Sequence, residues 1–300
     1  MSVTASASAK TILFGEHAVV YGEPAIAIPL SDTRTYAEIR PNGLEFRVIS
    51  PKVRLNQTFP ELSEESGLKQ LLYLLKDEFS LTELPKVTLS IRSDIPIASG
   101  LGSGAALSVA VIRAFAGLTG SELPAERVNG IAYEIEKIYH GTPSGIDNTV
   151  IAYEQPVIFI KGRGFRPLEA DLSRLSLITA DSGIRSKTVD VVSDVRTHLD
   201  RNEAALRGIG SLVRTAETAL KAGEPAEIGR LMNENQRLLR AIDVSCPELD
   251  ELIGLALANG ALGAKLTGAG RGGNFLVLAQ DPDHARKIRS LYAERDIRTI

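Results

Sequence analysis

The residues with chemical potential lie in three glycine-rich stretches and one amino-terminal turn. Residues 96–106 read PIASGLGSGAA, between a strand-like and a helix-like segment. Glycines there permit positive φ and close backbone approach, and a following helix offers unpaired N–H groups and the positive end of its dipole. Pro96, Gly100, Leu101, Gly102, Ser103, Gly104 and Ala105 are therefore candidates to cradle phosphate, with the Ser103 hydroxyl able to reach a phosphate oxygen or a magnesium ion. The stretch matches neither GxxxxGK[ST] nor GxGxxG. A tight strand-to-helix turn with small residues for close packing would use the same residues, and both readings stand.

Residues 140–148, HGTPSGIDN, place the Asp147 carboxylate and the Ser144 hydroxyl in a turn after an amphipathic helix. They could face a cleft, although by themselves such residues more often satisfy backbone N–H groups at a helix end. Residues 265–274, KLTGAGRGGN, lie between two strand-like runs and bring Gly268, Ala269 and Gly270. They could approach a phosphate or substrate, or only turn the chain. Lys10, Glu16 and His17 precede and occupy the turn GEHAVVYGE. A solvated lysine and a hydrogen-bonded turn histidine are the plain alternatives there.

Elements must position these groups. KTILF and PAIAIPL read as strands, and TYAEIR and LEFRVIS alternate as half-buried strands split by the PNG turn. GLKQLLYLLKDEF has leucines at helical spacing, and KVTLSIRSDIP returns to strand. A helix of small residues is expected from Ser103 to Ala116. A second, ERVNGIAYEIEKIYHG, sets Val128, Ile131, Ala132, Ile135, Ile138 and Tyr139 on one face. PVIFIKG is a short strand, after which the composition shifts. Residues 186–260 read as mostly helical, interrupted by Gly208, Gly210, Gly223 and CPE. The end alternates GAKLT, the glycine loop, NFLVLA, a helix over DPDHARKIRSLYAE, and DIRTI. Grouped rather than strictly alternating elements indicate an α+β chain. A boundary is expected near 165, giving parts 1–165 and 166–300.

Composition excludes several classes. A chain of 300 residues with 44% hydrophobic and 24% charged residues supports about two folded domains. With 34 basic and 37 acidic residues, it lacks the basic surplus of a binder that neutralises nucleic-acid phosphates. One cysteine, Cys246, and scattered His17, His140, His198 and His284 argue against disulfides and soft-ligand metal sites. Magnesium held by oxygens fits this composition. The start lacks a basic region followed by a long apolar run, and the most apolar stretch, AALSVAVIRAFAGL, contains Arg113. No membrane partner and a cytoplasmic location are the expectations.

In combination and in order, SAKTILFGEHAVVYGEPAIAIPL, PIASGLGSGAA, HGTPSGIDN and KLTGAGRGGN resemble the motifs of the GHMP kinase family, and GEHAVVYG the form found in its mevalonate-phosphorylating branch. The resemblance implies a ribosomal protein S5 domain 2-like amino-terminal domain and a ferredoxin-like carboxy-terminal domain, with the site in the cleft between. It implies ATP and Mg²⁺, and transfer of the γ-phosphoryl group to the C5 hydroxyl of mevalonate, a step of isoprenoid synthesis. By the same resemblance Asp147 is the general base and Lys10 its cationic neighbour. Glu136 is the magnesium carboxylate, with Ser103 beside it, and the 100–103 loop wraps the phosphates. Glu16 and His17 face mevalonate, with Ser144, Thr188 and the third loop near the site. A homodimer is compatible with the resemblance. Other acceptors (phosphomevalonate, homoserine, a sugar) and a catalytically silent metabolite binder are the competing readings.

Two residues depart from the motifs. GLGSS is the usual second motif, and here its last position is Gly104. Either Ser103 or a water takes the vacated coordination place, or nucleotide handling differs. Arg271 stands where the third motif carries glycine, and is expected to reach a phosphate or the substrate carboxylate.

Overall fold

The structure is a computed structural model that describes residues 2–96, 100–141, 143–186 and 188–300. Ile97, Ala98 and Ser99 of the second motif, Thr142 and Lys187 lie outside the described residues, as does the His140 side chain. The described chain divides into two compact units, neither of them a single run. One comprises residues 2–10, 29–96 and 102–154; the other comprises 11–28, 100–101 and 155–300. No helix among the described residues is long and apolar enough to cross a membrane.

The first unit takes the outer parts of β1 (Val3–Phe14) and β2 (Pro24–Pro41), then β3 (Arg47–Ser50), β4 (Leu55–Thr58), α1 (Gly67–Glu78), β5 (Val87–Ser93), α2 (Ser103–Thr119), α3 (Ala125–His140) and α4 (Ile146–Tyr153). PAIAIPL and TYAEIR are thus one continuous strand, because the intervening SDTR keeps extended backbone. β2 runs antiparallel to β5, from Thr35 opposite Ser93 to Pro41 opposite Val87. The PNG turn does not make a hairpin. β3 instead lies parallel to β5 and pairs antiparallel with β4, a strand without a distinct alternating signature.

Helix α2 is apolar nearly all round, and Ala105, Ala106, Val109, Ala110, Val111, Ile112, Ala114 and Phe115 are all buried. Arg113 keeps its charge satisfied by Glu154 and by the carbonyls of Ser6 and Ala152. On α3, Val128, Ile131, Ala132 and Ile135 are buried as expected, whereas Ile138 and Tyr139 are 47% and 54% exposed. The apolar stripe therefore stops one turn before the helix ends.

The second unit holds the inner ends of β1 and β2, with β6 (Val157–Ile160), β7 (Gly164–Pro167), β8 (Ser176–Asp181), α5 (Thr188–Thr197), α6 (Leu199–Ala222), α7 (Pro225–Ala241), α8 (Pro247–Ala258), β9 (Gly263–Leu266), β10 (Asn274–Ala279), α9 (Pro282–Ala293) and β11 (Arg298–Thr299). Pro24–Ala27 pair antiparallel with β6, and β6 forms a hairpin with β7. A separate antiparallel sheet has the order β11-β8-β10-β9. Ile178, Ala180, Phe275, Val277 and Leu266 from this sheet share a core with Leu206, Leu239, Ile253 and Tyr292 from its helices.

Gly208 and Gly210 do not interrupt α6, which runs unbroken to Gly223. At Gly210 a Cβ would lie 2.0 Å from Glu23 Oε2, so its lack of a side chain serves close packing rather than a break.

Candidate active site

In the first unit, the candidate groups converge on the start of α2. Lys10, on β1, is 3% exposed, and its Nζ lies 2.8 Å from Asp147 Oδ1. Burying that ammonium is tolerable because a carboxylate meets it. Asp147 belongs to the first turn of α4 rather than to a turn after α3, and its side chain is 30% exposed. Only Oδ1 carries a bond among the described residues, which leaves Oδ2 for a proton donor. The neighbouring Asn148 donates to Asn129 Oδ1 at 2.6 Å, tying α4 to α3.

Glu136 on α3 is not a solvated helix glutamate: it is 5% exposed. Burial first, and then the Asp147 charge, push its carboxyl up to about 7, against the pull of Lys10. These three groups therefore form one electrostatic cluster. Oε1 of Glu136 lies 3.2 Å from where a Cβ on Gly104 would stand, so the absent side chain at 104 leaves this carboxylate room.

Helix α2 opens on Gly102 in the left-handed region at φ 73, with no side-chain cap. Among the described residues, no side chain takes its first N–H groups, which a ligand or solvent can then meet. A Cβ on Gly102 would meet Ile151 Cδ1 at 2.8 Å and Lys10 Cγ at 3.1 Å, so both conformation and space select glycine. Ser103 follows at the helix start, and Ala105 is buried beneath it. Pro96 is buried, and the Ser144 hydroxyl accepts from Ile146 N at 3.4 Å, within the local turn.

In the second unit the first and third motifs come together. Glu16 and Lys265 form a fully buried ion pair, and the carboxylate also accepts from Asn235 Nδ2 at 3.1 Å. Lys265 donates to Leu266 O as well, at 2.7 Å. Burial pushes the Glu16 carboxyl up and the Lys265 ammonium down, while their mutual attraction opposes both shifts. His17 sits at φ 60 and its Nε2 donates to Ala269 O at 2.8 Å. Burial holds its pKa at about 4, helped by the Arg271 charge and opposed by the Ala269 carbonyl, so the ring is neutral at pH 7.

Gly100 and Gly268 meet backbone to backbone, with the Cβ position of the first 3.9 Å from the Cα of the second. Leu101 is buried. Thr267 Oγ1 joins Thr11 Oγ1 at 3.0 Å and Ile12 O at 3.0 Å, locking the third motif to β1. Gly270 has φ 83, and a Cβ there would lie 1.9 Å from Val244 O. Thr188 is an exposed residue at the start of α5.

Arg271 adopts φ 52, the left-handed backbone that glycine would accept more readily. Its guanidinium turns to Asp194 and to Asp243 O at 2.9 Å. The expected reach toward phosphate or substrate carboxylate gives way to these contacts. Asn235 escaped the sequence reading, while Lys265 and Thr267 fell inside the third motif without an individual role there. Asn235 lies mid-helix with no motif, and the other two looked like strand residues leading into a loop.

A carboxylate with one oxygen unbonded among the described residues, a buried ammonium beside it, a second buried carboxylate and the start of a helix form a site suited to phosphoryl transfer. Fold and site define a GHMP kinase, and the chain belongs to that family. The family profile for the GHMP kinases N terminal domain matches residues 67–155, and that for the GHMP kinases C terminal domain matches 216–294. Mevalonate kinases are among the proteins similar to it along most of the chain. That of Thermococcus gammatolerans is 36% identical over 306 residues, covering 94% of this chain and 90% of the relative. That of Pyrococcus horikoshii is 35% identical, covering 95% and 90%. Among solved structures, the L. major mevalonate kinase in complex with R-mevalonate is 33% identical with a TM-score of 0.82, covering 97% of this chain and 91% of that one. The Methanococcus jannaschii mevalonate kinase is 25% identical with a TM-score of 0.88, covering 100% and 96%.

Proposed function

We propose that this protein transfers the γ-phosphoryl group of ATP to the C5 hydroxyl of mevalonate, giving 5-phosphomevalonate and ADP. The observation that carries the reading is the 2.8 Å Lys10–Asp147 pair beside Glu136 at the start of α2, in a chain similar to mevalonate kinases along most of its length.

An alcohol is a weak nucleophile at neutral pH. Asp147 Oδ2 accepts the hydroxyl proton as the new O–P bond forms and the bond between the γ-phosphorus and the β–γ bridging oxygen breaks, leaving ADP. General-base help of this kind is worth roughly 10²–10⁴-fold. Lys10 orients Asp147 through its other oxygen and offsets negative charge gathering at the reacting centre. The backbone of Gly100, Leu101, Gly102, Ser103, Gly104 and Ala105, entered through Pro96, holds the phosphates. Positioning and charge neutralisation supply most of the remaining acceleration.

On the acceptor side we place Glu16, His17, Ser144, Thr188 and the backbone of Gly268, Ala269 and Gly270. Glu16, already held by Lys265 and Asn235, orients the turn. His17 meets the substrate as a neutral hydrogen-bonding ring.

Mg²⁺ fits the residues present. No group of three His, Cys, Asp or Glu side chains gathers among the described residues, but magnesium needs only one or two hard oxygen donors plus nucleotide phosphates. Glu136, buried and next to a side-chain-free position, with the Ser103 hydroxyl, would hold it. When bound it would neutralise phosphate charge.

The test is Asp147→Asn. It should cut kcat by at least about 10²-fold while ADP and mevalonate affinities stay within a few-fold. A kcat near wild type would remove Asp147 from the base role.

A further inference from the structure

The end of β5, just before the glycine-rich stretch, is held by a residue outside every motif. β5 keeps β2 as partner through Ser93, but its pairing with β3 ends at Ser90. Beyond that point the carbonyls on the β3 side lack a strand to receive them. The chain between β3 and β4 makes a short 3-10 turn, Pro51–Val53, and from it Lys52 reaches across. Its Nζ donates to Ser93 O at 2.9 Å and to Ile95 O at 2.5 Å. The opposite side of the same exit is tied by neutral groups. Ser93 Oγ lies 2.8 Å from Thr35 Oγ1 and accepts from Ile95 N at 3.3 Å, while Asp94 N donates to Arg34 O at 2.9 Å. Ile95 itself is fully buried, and Pro96 opens the glycine-rich segment one residue later.

A lysine ammonium is a compact charge on a flexible stem. Holding it on two backbone carbonyls costs side-chain entropy, which the charge-assisted bonds must offset. Register against β3 gains little from the arrangement, because that ladder has already ended at Ser90. What it fixes is the backbone of Ser93 and Ile95, the last residues before Pro96.

We propose that Lys52 is a positioning residue for nucleotide binding, anchoring the entrance of the phosphate loop. This rests on reading residues 96–105 as that loop. Removing the anchor should cost nucleotide affinity and leave mevalonate affinity largely alone.

The test compares wild type with Lys52→Met, which keeps the stem and removes the donors, and Lys52→Arg, which restores them. Calorimetric Kd for Mg·ADP and KM for ATP should both rise about tenfold in Lys52→Met, with KM for mevalonate and kcat changing less than twofold. Lys52→Arg should recover most of the affinity, and amide exchange at residues 93–96 should quicken in Lys52→Met alone. If Lys52→Met does not fold, Ser93→Ala releases Ile95 N from the other side and should shift ATP KM in the same direction. Unchanged Mg·ADP affinity in a folded Lys52→Met, or equal rises in both KM values, overturns the proposal while wild-type binding leaves the kinase reading intact. Wild type that binds no nucleotide overturns both.

Discussion

Two buried residues give the metal-free protein opposed pH responses. Glu136 titrates at about 7 in the fold, above the ordinary carboxylate value of 4.5. The folded chain therefore binds more protons than the unfolded chain between those values. Its stabilising contribution is complete below pH 4.5 and is lost as pH rises through 7. His17 does the reverse: with its pKa at about 4 against 6.5, its contribution is present above 6.5 and is lost as pH falls towards 4. Glu136→Gln should therefore make the melting temperature of metal-free protein rise with pH between 5 and 7 more than in wild type. Scanning calorimetry across that range checks this, and superimposable profiles would contradict it. At Gly104, serine would set its Cβ 3.2 Å from Glu136 Oε1, close enough for the hydroxyl to share a cation with that carboxylate. Gly104→Ser should tighten binding of Mn²⁺ to the nucleotide-loaded protein, read by paramagnetic resonance. Weaker binding would mean that the side chain only displaces Glu136. Arg271→Ala should change both KM values less than twofold, because the guanidinium is engaged by Asp194 and Asp243.

At the scale of elements, the motif loops are held by contacts between motifs distant in sequence. The Glu16–Lys265 pair joins the turn after β1 to β9, and both partners are shut off from water. Lys265→Met leaves a buried carboxylate uncompensated, which typically costs about 3–5 kcal/mol. Chemical denaturation should show that loss, and adding Glu16→Gln should restore part of it; full additivity would deny the coupling. Gly102→Ala meets both an unfavourable φ and the Ile151 side chain. It should weaken Mg·ATP binding more than it lowers the melting temperature.

These elements also mark what the sequence could disclose. Glycine spacing exposed the loops, since positive φ and tight approach leave few alternatives, and the nearness of Lys10 to Asp147 was expected only from the family resemblance of their motifs. The first turn of α4 was not, because Ser144, Gly145 and Asp147 serve equally as turn residues and as the start of a helix. Nor was the exposure of Ile138 and Tyr139, whose spacing continues the apolar face after the packing has ended. β3 beside β5 was hidden because that pairing is set by contacts distant in sequence, not by the PNG turn. Lys52 and Asn235 act through long-range hydrogen bonds, for which local pattern carries no signal.

At the scale of the whole molecule, the two units, the ordered motifs and the relatives agree on one class of reaction. The near-balanced charge of -3 suits a catalyst for small anions whose recognition is local, in a few placed ammonium and N–H groups, rather than spread over a basic surface. Mutations in either unit should then act through the groups named above and not through the global field. Activity should consequently depend only weakly on ionic strength between about 50 and 200 mM, a range over which surface charges are already substantially screened. A steep loss of kcat/KM over that range would point to a distributed electrostatic contribution instead.

The central claim is most directly tested by ADP release from the purified protein with Mg·ATP, comparing mevalonate, phosphomevalonate, homoserine and galactose as acceptors. The account predicts turnover with mevalonate and none above background with the others. Turnover with a different acceptor, or ATP binding without turnover on any of the four, would contradict it.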